Sequence, residues 1–321
     1  MNASIRRIVC FLITLQFYST TFGQINWKNV DQEFGNIPAG FHVYTSTDSL
    51  DGKPFRAFYA IADLRNKKLQ FSTDTTHQRR LTPSKFYEKN NQPLLVVNST
   101  FFSFATNQNL NLVIKGGKTV GYNIHSLPGK GKDTFTYRHP FNGAFGISKR
   151  GKADIAWIYS DSSARFPLAS QVAPAFIKDS FPQLSPKQLT ARANFSRWKM
   201  HTAVAGGPVL LQAGAVSISN NEELKFGGKA IYDKHPRTLI GYTRDYKIIV
   251  MVVEGRNPGI ADGVDLIQAA NLLKALGCQE ALNLDGGGSS CMLINGKETI
   301  HTSDKGVQRP VPAVFMIKAK K

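Results

Sequence analysis

Apolar residues in this chain fall mostly in alternating or short unbroken runs, the signature of strands, and one stretch near the C-terminus carries a helical stripe. Arg56–Leu64 and Lys68–Ser72 predict two strands around the polar turn Arg65-Asn-Lys-Lys68. Pro93–Val97 is short and fully apolar, delivers Asn98 at its end, and predicts a buried strand; Ile155–Tyr159 predicts another. From Pro167 to about Trp198 the pattern loosens. Prolines 167, 174, 182 and 186 break any long element there, which leaves a surface excursion or a lid.

The C-terminal third is more regular. Lys247–Val253 is unbroken apolar, as a strand buried on both faces must be. Asp262–Gly277 sets Leu266, Ala269, Ala270, Leu273 and Leu276 on one stripe, with acids in the first turn and Gly277 as a stop, so it predicts a helix. Ala281–Leu284 then predicts a further strand. Strand, helix and strand in this order predict a crossover unit with parallel strands, and place Glu254 and Asp285 at the same sheet edge.

The first residues modify this picture. Arg6 and Arg7 precede an apolar run from Ile8 to about Tyr18, and small residues lead up to Gly23. The pattern predicts an export signal peptide over residues 1–23, with cleavage after Gly23 and one domain over 24–321. Thr14, Gln16 and Ser19 interrupt the run, so a membrane anchor is disfavoured and the mature chain is expected to be exported, periplasmic or secreted, without membrane insertion. Beyond Cys10 in the leader, the cysteines are Cys278 and Cys291, which either pair in an oxidising compartment or stay as two buried free thiols.

The formal net charge is +18 and drops by two if Arg6 and Arg7 leave with the leader. Such a balance attracts anions over long range. The basic residues are scattered rather than clustered and no nucleic-acid-binding motif is present, so nucleic acid is not the expected partner. Phosphorylated or acidic glycans suit an exported protein better.

Candidate chemistry concentrates in Asn283-Leu-Asp-Gly-Gly-Gly-Ser-Ser290. Three consecutive glycines after a strand can either present amide hydrogens in an anion-binding nest or permit close packing. No Lys-Ser/Thr follows, so the block is not a nucleotide P-loop; Met292–Ile294 reads instead as a strand turning at Asn295-Gly296. Gly206 and Gly207 form a second glycine pair, before Pro208. Arg237 leads into a strand expected to hairpin onto 247–253, and its guanidinium is either a bidentate phosphate ligand or a solvated strand end.

The ordered set Asn98–Phe102, Ala205–Pro208, His235–Thr238, Val253–Arg256 and Leu284–Ser290 resembles the phosphodiester glycosidase family, which includes the luminal domain of the lysosomal uncovering enzyme and many exported bacterial proteins. The resemblance runs from about Pro93 to Ile317, with Ser99 where the family usually has glycine. It implies an α+β fold with a surface cavity, to which the crossover unit adds the expectation of a mixed sheet, and hydrolysis of a sugar joined through its anomeric oxygen to a phosphodiester. Asp285 and Glu254 are then the expected catalytic carboxylates. Arg237, Gly286, Gly287 and Ser289 are expected around the phosphate, Asn98, Gly206 and Gly207 at the sugar or cavity wall, and Arg256 either at the phosphate or paired with Glu254. No cofactor is required, although Glu254 and Asp285 could bridge a divalent cation. A non-catalytic glycan-binding protein and a phosphodiesterase cutting phosphorus–oxygen bonds are the alternatives.

Overall fold

The computed structural model describes residues 25–184, 189 and 194–320; the expected signal peptide lies outside them. Among these, antiparallel sheets of eight, seven and five strands carry the core, with a three-stranded and a two-stranded ribbon beside them. No helix among the described residues is long and apolar enough to cross a membrane.

The expected strands are present with shifted ends: Ala57–Asp63, Leu69–Thr75, Leu95–Asn98, Ala153–Tyr159 and Lys247–Val253. The unbroken run at 247–253 has a direct physical cause. Ile248, Val250 and Val252 enter one core with Phe58, Trp157, Ile240 and Leu282, while Ile249, Met251 and Val253 enter a second core with Leu266, Ala269 and Leu273 of the helix. Both faces of the strand are therefore dry, and each fully buried aliphatic side chain contributes about 1.5–3 kcal/mol of transfer free energy.

The helix spans Leu266–Ala275; it starts with the first residue of the apolar stripe, after the acids expected in its first turn. Asp265 caps it in a capping box with Gln268, so the chain cannot turn helical before that point. Gly263, at φ +92°, bends the preceding chain where a Cβ would lie 2.5 Å from the His235 carbonyl oxygen.

The expected parallel neighbours are not neighbours. Strand Arg237–Thr243 lies between Lys247–Val253 and Cys278–Asn283, antiparallel to both. The crossover thus joins two strands of equal direction across an intervening third. The expectation of a mixed sheet is corrected likewise, because every strand ladder among the described residues is antiparallel. An apolar run reports burial on two faces and carries no information about which strand lies beside it; here the helix and the other sheets supply the cover.

Met292–Ile294 turns through Asn295 and Gly296, both at positive φ, onto Lys297–Glu298, as its turn residues predict. The Pro167–Trp198 stretch contributes short strands to two sheets: Leu168–Ser170 and Ser196–Arg197 to the seven-stranded sheet, and Ile177–Asp179 to the three-stranded one. Cys278 and Cys291 are buried and free.

Candidate active site

Strand Cys278–Asn283 ends where its neighbour Arg237–Thr243 begins, and Asp285 follows the last ladder pair. Its backbone is held from both directions. The Asp285 N–H donates to the Ser99 carbonyl at 2.9 Å, and the Asn98 side-chain amide donates to the Asp285 carbonyl at 2.5 Å. The Asn98 side-chain oxygen in turn accepts from the Thr238 hydroxyl (2.8 Å) and the Cys291 amide (3.1 Å). Asn98 is 0% exposed and every polar atom of its amide faces protein, so it anchors the turn that carries Asp285 instead of lining a cavity wall.

Each of the three glycines has a separate steric reason. A Cβ on Gly286 would lie 2.8 Å from the Pro236 carbonyl oxygen; Gly287 sits at φ +60° with the Arg256 guanidinium 3.3 Å from its would-be Cβ; on Gly288 that atom would be 2.1 Å from an Arg309 guanidinium nitrogen. An open nest does not form. The amides of Gly287, Ser289 and Ser290 donate to the carbonyls of Pro236, Gly286 and Gly287, closing a short 3-10 turn over Gly287–Ser289. Close approach, above all by two arginines, is what the triple glycine provides.

Gly206 and Gly207, which join strand Thr202–Ala205 of the seven-stranded sheet to Val209–Gln212 of the eight-stranded one, lie against the end of the Cys278–Asn283 strand. The Gly207 amide donates to the Asn283 carbonyl at 2.8 Å and the Asn283 side chain donates back to the Gly207 carbonyl at 2.9 Å. A Cβ on Gly206 would be 2.5 Å from the Asn283 carbonyl oxygen, and one on Gly207 would be 2.2 Å from a Glu223 carboxylate oxygen and 2.4 Å from the Lys225 Cε.

The Asp285 carboxyl is thus sunk among packed backbone, with positive groups around it. Burial pushes its pKa up to about 7, against the opposing pull of the Ser289 hydroxyl, Arg309, the Gly286 amide and Lys225. The Ser289 hydroxyl is near but makes no hydrogen bond of ordinary geometry, and Asp285 Oδ2 has no partner either. Unpartnered buried polar atoms recur on the flanking residues, at Ser99 Oγ, Thr100 Oγ1 and Asn283 Oδ1. Buried polar groups ordinarily find partners, so the unpartnered atoms around this perturbed carboxyl make the end of the Cys278–Asn283 strand the candidate site.

Glu254 sits at the same edge but in different company. It is 0% exposed; Oε1 accepts from the Asn257 amide at 2.9 Å, Oε2 accepts from the His301 N–H at 3.1 Å and lies 3.6 Å from Arg56 Nε. Two strand spacings, on the order of 10 Å, separate the backbones of the Glu254 and Asp285 strands. A cation bridging the two acids does not fit: both Glu254 oxygens are taken up by protein groups, and among the described residues no three His, Cys, Asp or Glu side chains gather to hold a metal ion.

Arg237 is 3% exposed and donates from Nε to the Val264 carbonyl (3.0 Å) and from Nη2 to the Asp233 carbonyl (2.9 Å). Burial lowers its pKa to about 10. Its fork secures the loop before it. Arg256, by contrast, is exposed over Gly287, with Nη2 3.2 Å from His235 Nδ1, and is not paired with Glu254.

A model of the phosphodiester glycosidase family matches residues 90–318, within which all of these residues except Arg56 lie. The chain belongs to that family. It is 37% identical over 78 residues to an uncharacterized prophage-derived protein of Bacillus subtilis, a match covering 24% of this chain and 12% of that protein's length. Among solved structures, a hypothetical protein from Synechocystis superposes with a TM-score of 0.60 at 13% identity over 92% of this chain and 64% of its own. The zebrafish N-acetylglucosamine-1-phosphodiester α-N-acetylglucosaminidase catalytic domain, auto-inhibited by its pro-peptide, gives 0.58 at 21% identity over 91% and 87%. A putative exported protein of Burkholderia pseudomallei gives 0.56 at 15% over 83% and 74%. The chain thus spans under two thirds of the first of these structures and about an eighth of the Bacillus protein.

Three further residues stand around the glycosidase motif, and sequence reasoning named none of them as a site residue. Arg309 packs on Gly288 and is held by a two-pronged ion pair to Asp304 (3.0 and 3.1 Å). Lys225 follows a one-turn helix at Asn220–Glu223, and burial lowers its pKa to about 8 while Glu223 and Asp285 oppose that shift. Phe101 lies beneath the Lys225 ammonium, 5.0 Å from its Nζ to the ring centroid. Only Phe101 falls inside a motif block.

Proposed function

We propose that this chain is a hydrolase of sugar phosphodiesters, such as an N-acetylglucosamine-1-phosphodiester, that cleaves the anomeric carbon–oxygen bond and releases free sugar and a phosphate monoester. Family membership supplies the reaction class, and the observation that carries the reading is Asp285: a carboxyl whose pKa is pushed up to about 7, with an unpartnered oxygen, within the influence of Lys225 and Arg309. A group with that pKa takes up a proton readily at neutral pH, as a general base must.

In this scheme ionised Asp285 accepts a proton from water at Oδ2 while the water oxygen bonds to the anomeric carbon. The bond from that carbon to the phosphate oxygen breaks, and its electron pair leaves with the phosphate. The departing monoester has its second ionisation near pH ~6, so it needs charge stabilisation more than a proton. Arg256 and Arg309, held over Gly287 and Gly288, are the groups for it. Ser289 and Asn283 offer unpartnered oxygens for the substrate's hydroxyls. Asn98, Glu254, Arg237, Gly206 and Gly207 hold the frame. The leader pattern at residues 1–23 supports action outside the cytoplasm, periplasmic or secreted, on one catalytic domain over 24–321.

The test is release of free N-acetylglucosamine from such a diester in labelled water. Label in the sugar supports anomeric cleavage; label in the phosphate would instead establish phosphorus–oxygen cleavage. Tight binding with no release would leave a glycan-binding protein.

A further inference from the structure

Beside Lys225 opens a recess of about 150 Å³ walled by Phe101, Leu110, Ile124, Leu127 and Pro140, with Leu224 at its edge. Its polar side chains are mostly occupied. Asn111 accepts from the Phe101 amide (3.0 Å) and Asn142 donates to the Ile124 carbonyl (3.5 Å). Glu223 accepts from the Gly143 and Val209 amides (both 2.8 Å), the Ser219 hydroxyl (2.6 Å) and the Trp157 indole (3.2 Å). Lys225 is the exception. It makes no ion pair or hydrogen bond among the described residues, and its ammonium rests on the Phe101 ring.

The recess adjoins the reacting centre. Lys225 and Asp285 perturb one another's ionisation, and Lys225 lies against Gly207, whose backbone is bonded to Asn283 two residues before Asp285. A recess with mostly apolar walls, its polar groups tied up by protein apart from one cation, Lys225, complements a ligand that is apolar at one end and anionic at the other. The anion reaching Asp285 is the phosphodiester itself, so the apolar end is the group on its far side.

We propose that this recess is the subsite for the second ester group of the phosphodiester, that the group it takes is apolar, such as an aryl or alkyl ester rather than a second sugar, and that Lys225 binds the phosphate at its mouth. This rests on the hydrolytic reading for its kinetic arm and is independent of it for its binding arm. Few wall groups are left to hydrogen-bond a sugar's hydroxyls, and burying those without partners is costly, whereas an aryl or alkyl group loses nothing there.

The experiment compares two N-acetylglucosamine-1-phosphodiesters, one with a benzyl and one with a glyceryl second ester, and separately measures calorimetric binding of the products benzyl phosphate and glycerol phosphate. The wild type should favour the benzyl ester in kcat/KM by about tenfold or more, the discrimination a buried apolar group commonly provides. Phe101→Ala and, as a milder second variant, Leu127→Ala should each shrink that ratio, mainly through KM for the benzyl ester. Lys225→Gln should raise KM for both esters. Equal kcat/KM for the two esters, or a glyceryl preference, overturns the proposal. Should neither ester turn over, benzyl phosphate binding at least tenfold tighter than glycerol phosphate, reduced by both wall variants, would uphold the recess while the hydrolytic reading fell. Equal binding of both would sink the recess whatever the kinetics.

Discussion

At the scale of single residues, the carboxyl proposed as the base, Asp285, also carries a cost to the fold. Its pKa in the folded chain, about 7, lies above the ordinary carboxyl value of 3.8. Folding therefore takes up a proton between about pH 4 and 7, and the stability lost as the carboxyl ionises is fully missing above pH 7. Asp285→Asn should raise the melting temperature more at pH 8 than at pH 4, by an amount corresponding to about 1–3 kcal/mol after allowance for solvent screening. The same variant should lower kcat by about 10²–10⁴-fold, the range a lost general base gives. Thermal scans at the two pH values, with sugar-release assays, check both; an unchanged kcat would remove Asp285 from the chemistry. Asn98→Ala belongs here too. It strips partners from the Asp285 carbonyl, the Thr238 hydroxyl and the Cys291 amide, so a loss of about 2–4 kcal/mol in denaturant titration is expected.

At the scale of elements, the glycine clusters separate packing from function. An added Cβ on Gly206 meets backbone, 2.5 Å from the Asn283 carbonyl oxygen, which is fixed within a sheet. Gly206→Ala should destabilise by about 2 kcal/mol or more. On Gly288 the added Cβ meets the Arg309 guanidinium, the far end of a flexible side chain that can swing away. Gly288→Ala should therefore keep stability within about 1 kcal/mol while lowering kcat/KM about tenfold, because the arginine leaves its place beside Asp285. Chemical denaturation and steady-state kinetics on the two variants distinguish these outcomes. The elements themselves were readable where burial writes a pattern: Lys247–Val253, the helical stripe and the Asn295-Gly296 turn. The common direction of the two crossover strands and the hairpin of Arg237–Thr243 onto Lys247–Val253 were readable too. The pairing of Arg237–Thr243 with Cys278–Asn283 on its other side was not, because an apolar run does not say which strand lies beside it.

At the scale of the whole molecule, the net charge of +18 acts as a field over the surface. Its consequence is kinetic. Raising salt from about 50 to about 500 mM should increase KM for an anionic diester several-fold, with a much smaller change in kcat, since screening weakens encounter more than the buried chemistry. A salt-independent KM would restrict the charge to solubility. Burial also governs the two thiols, pushing that of Cys278 up to about 12 and that of Cys291 upward as well. A thiol reagent at pH 8 should leave both unmodified in the native protein and modify both in denaturant. The sequence by itself determined which residues had to be dry and where the chain had to turn, because burial and backbone freedom are properties of residue types and their spacing. It also placed Asp285 at the end of a strand beside glycines, and marked the family. Only the tertiary structure decided that Glu254 and Arg237 are bound up in holding the frame and that Lys225 and Arg309 stand beside Asp285. Those relations join residues far apart in the chain, and a charged side chain reads the same in the sequence whether it meets solvent, a carbonyl or a carboxyl.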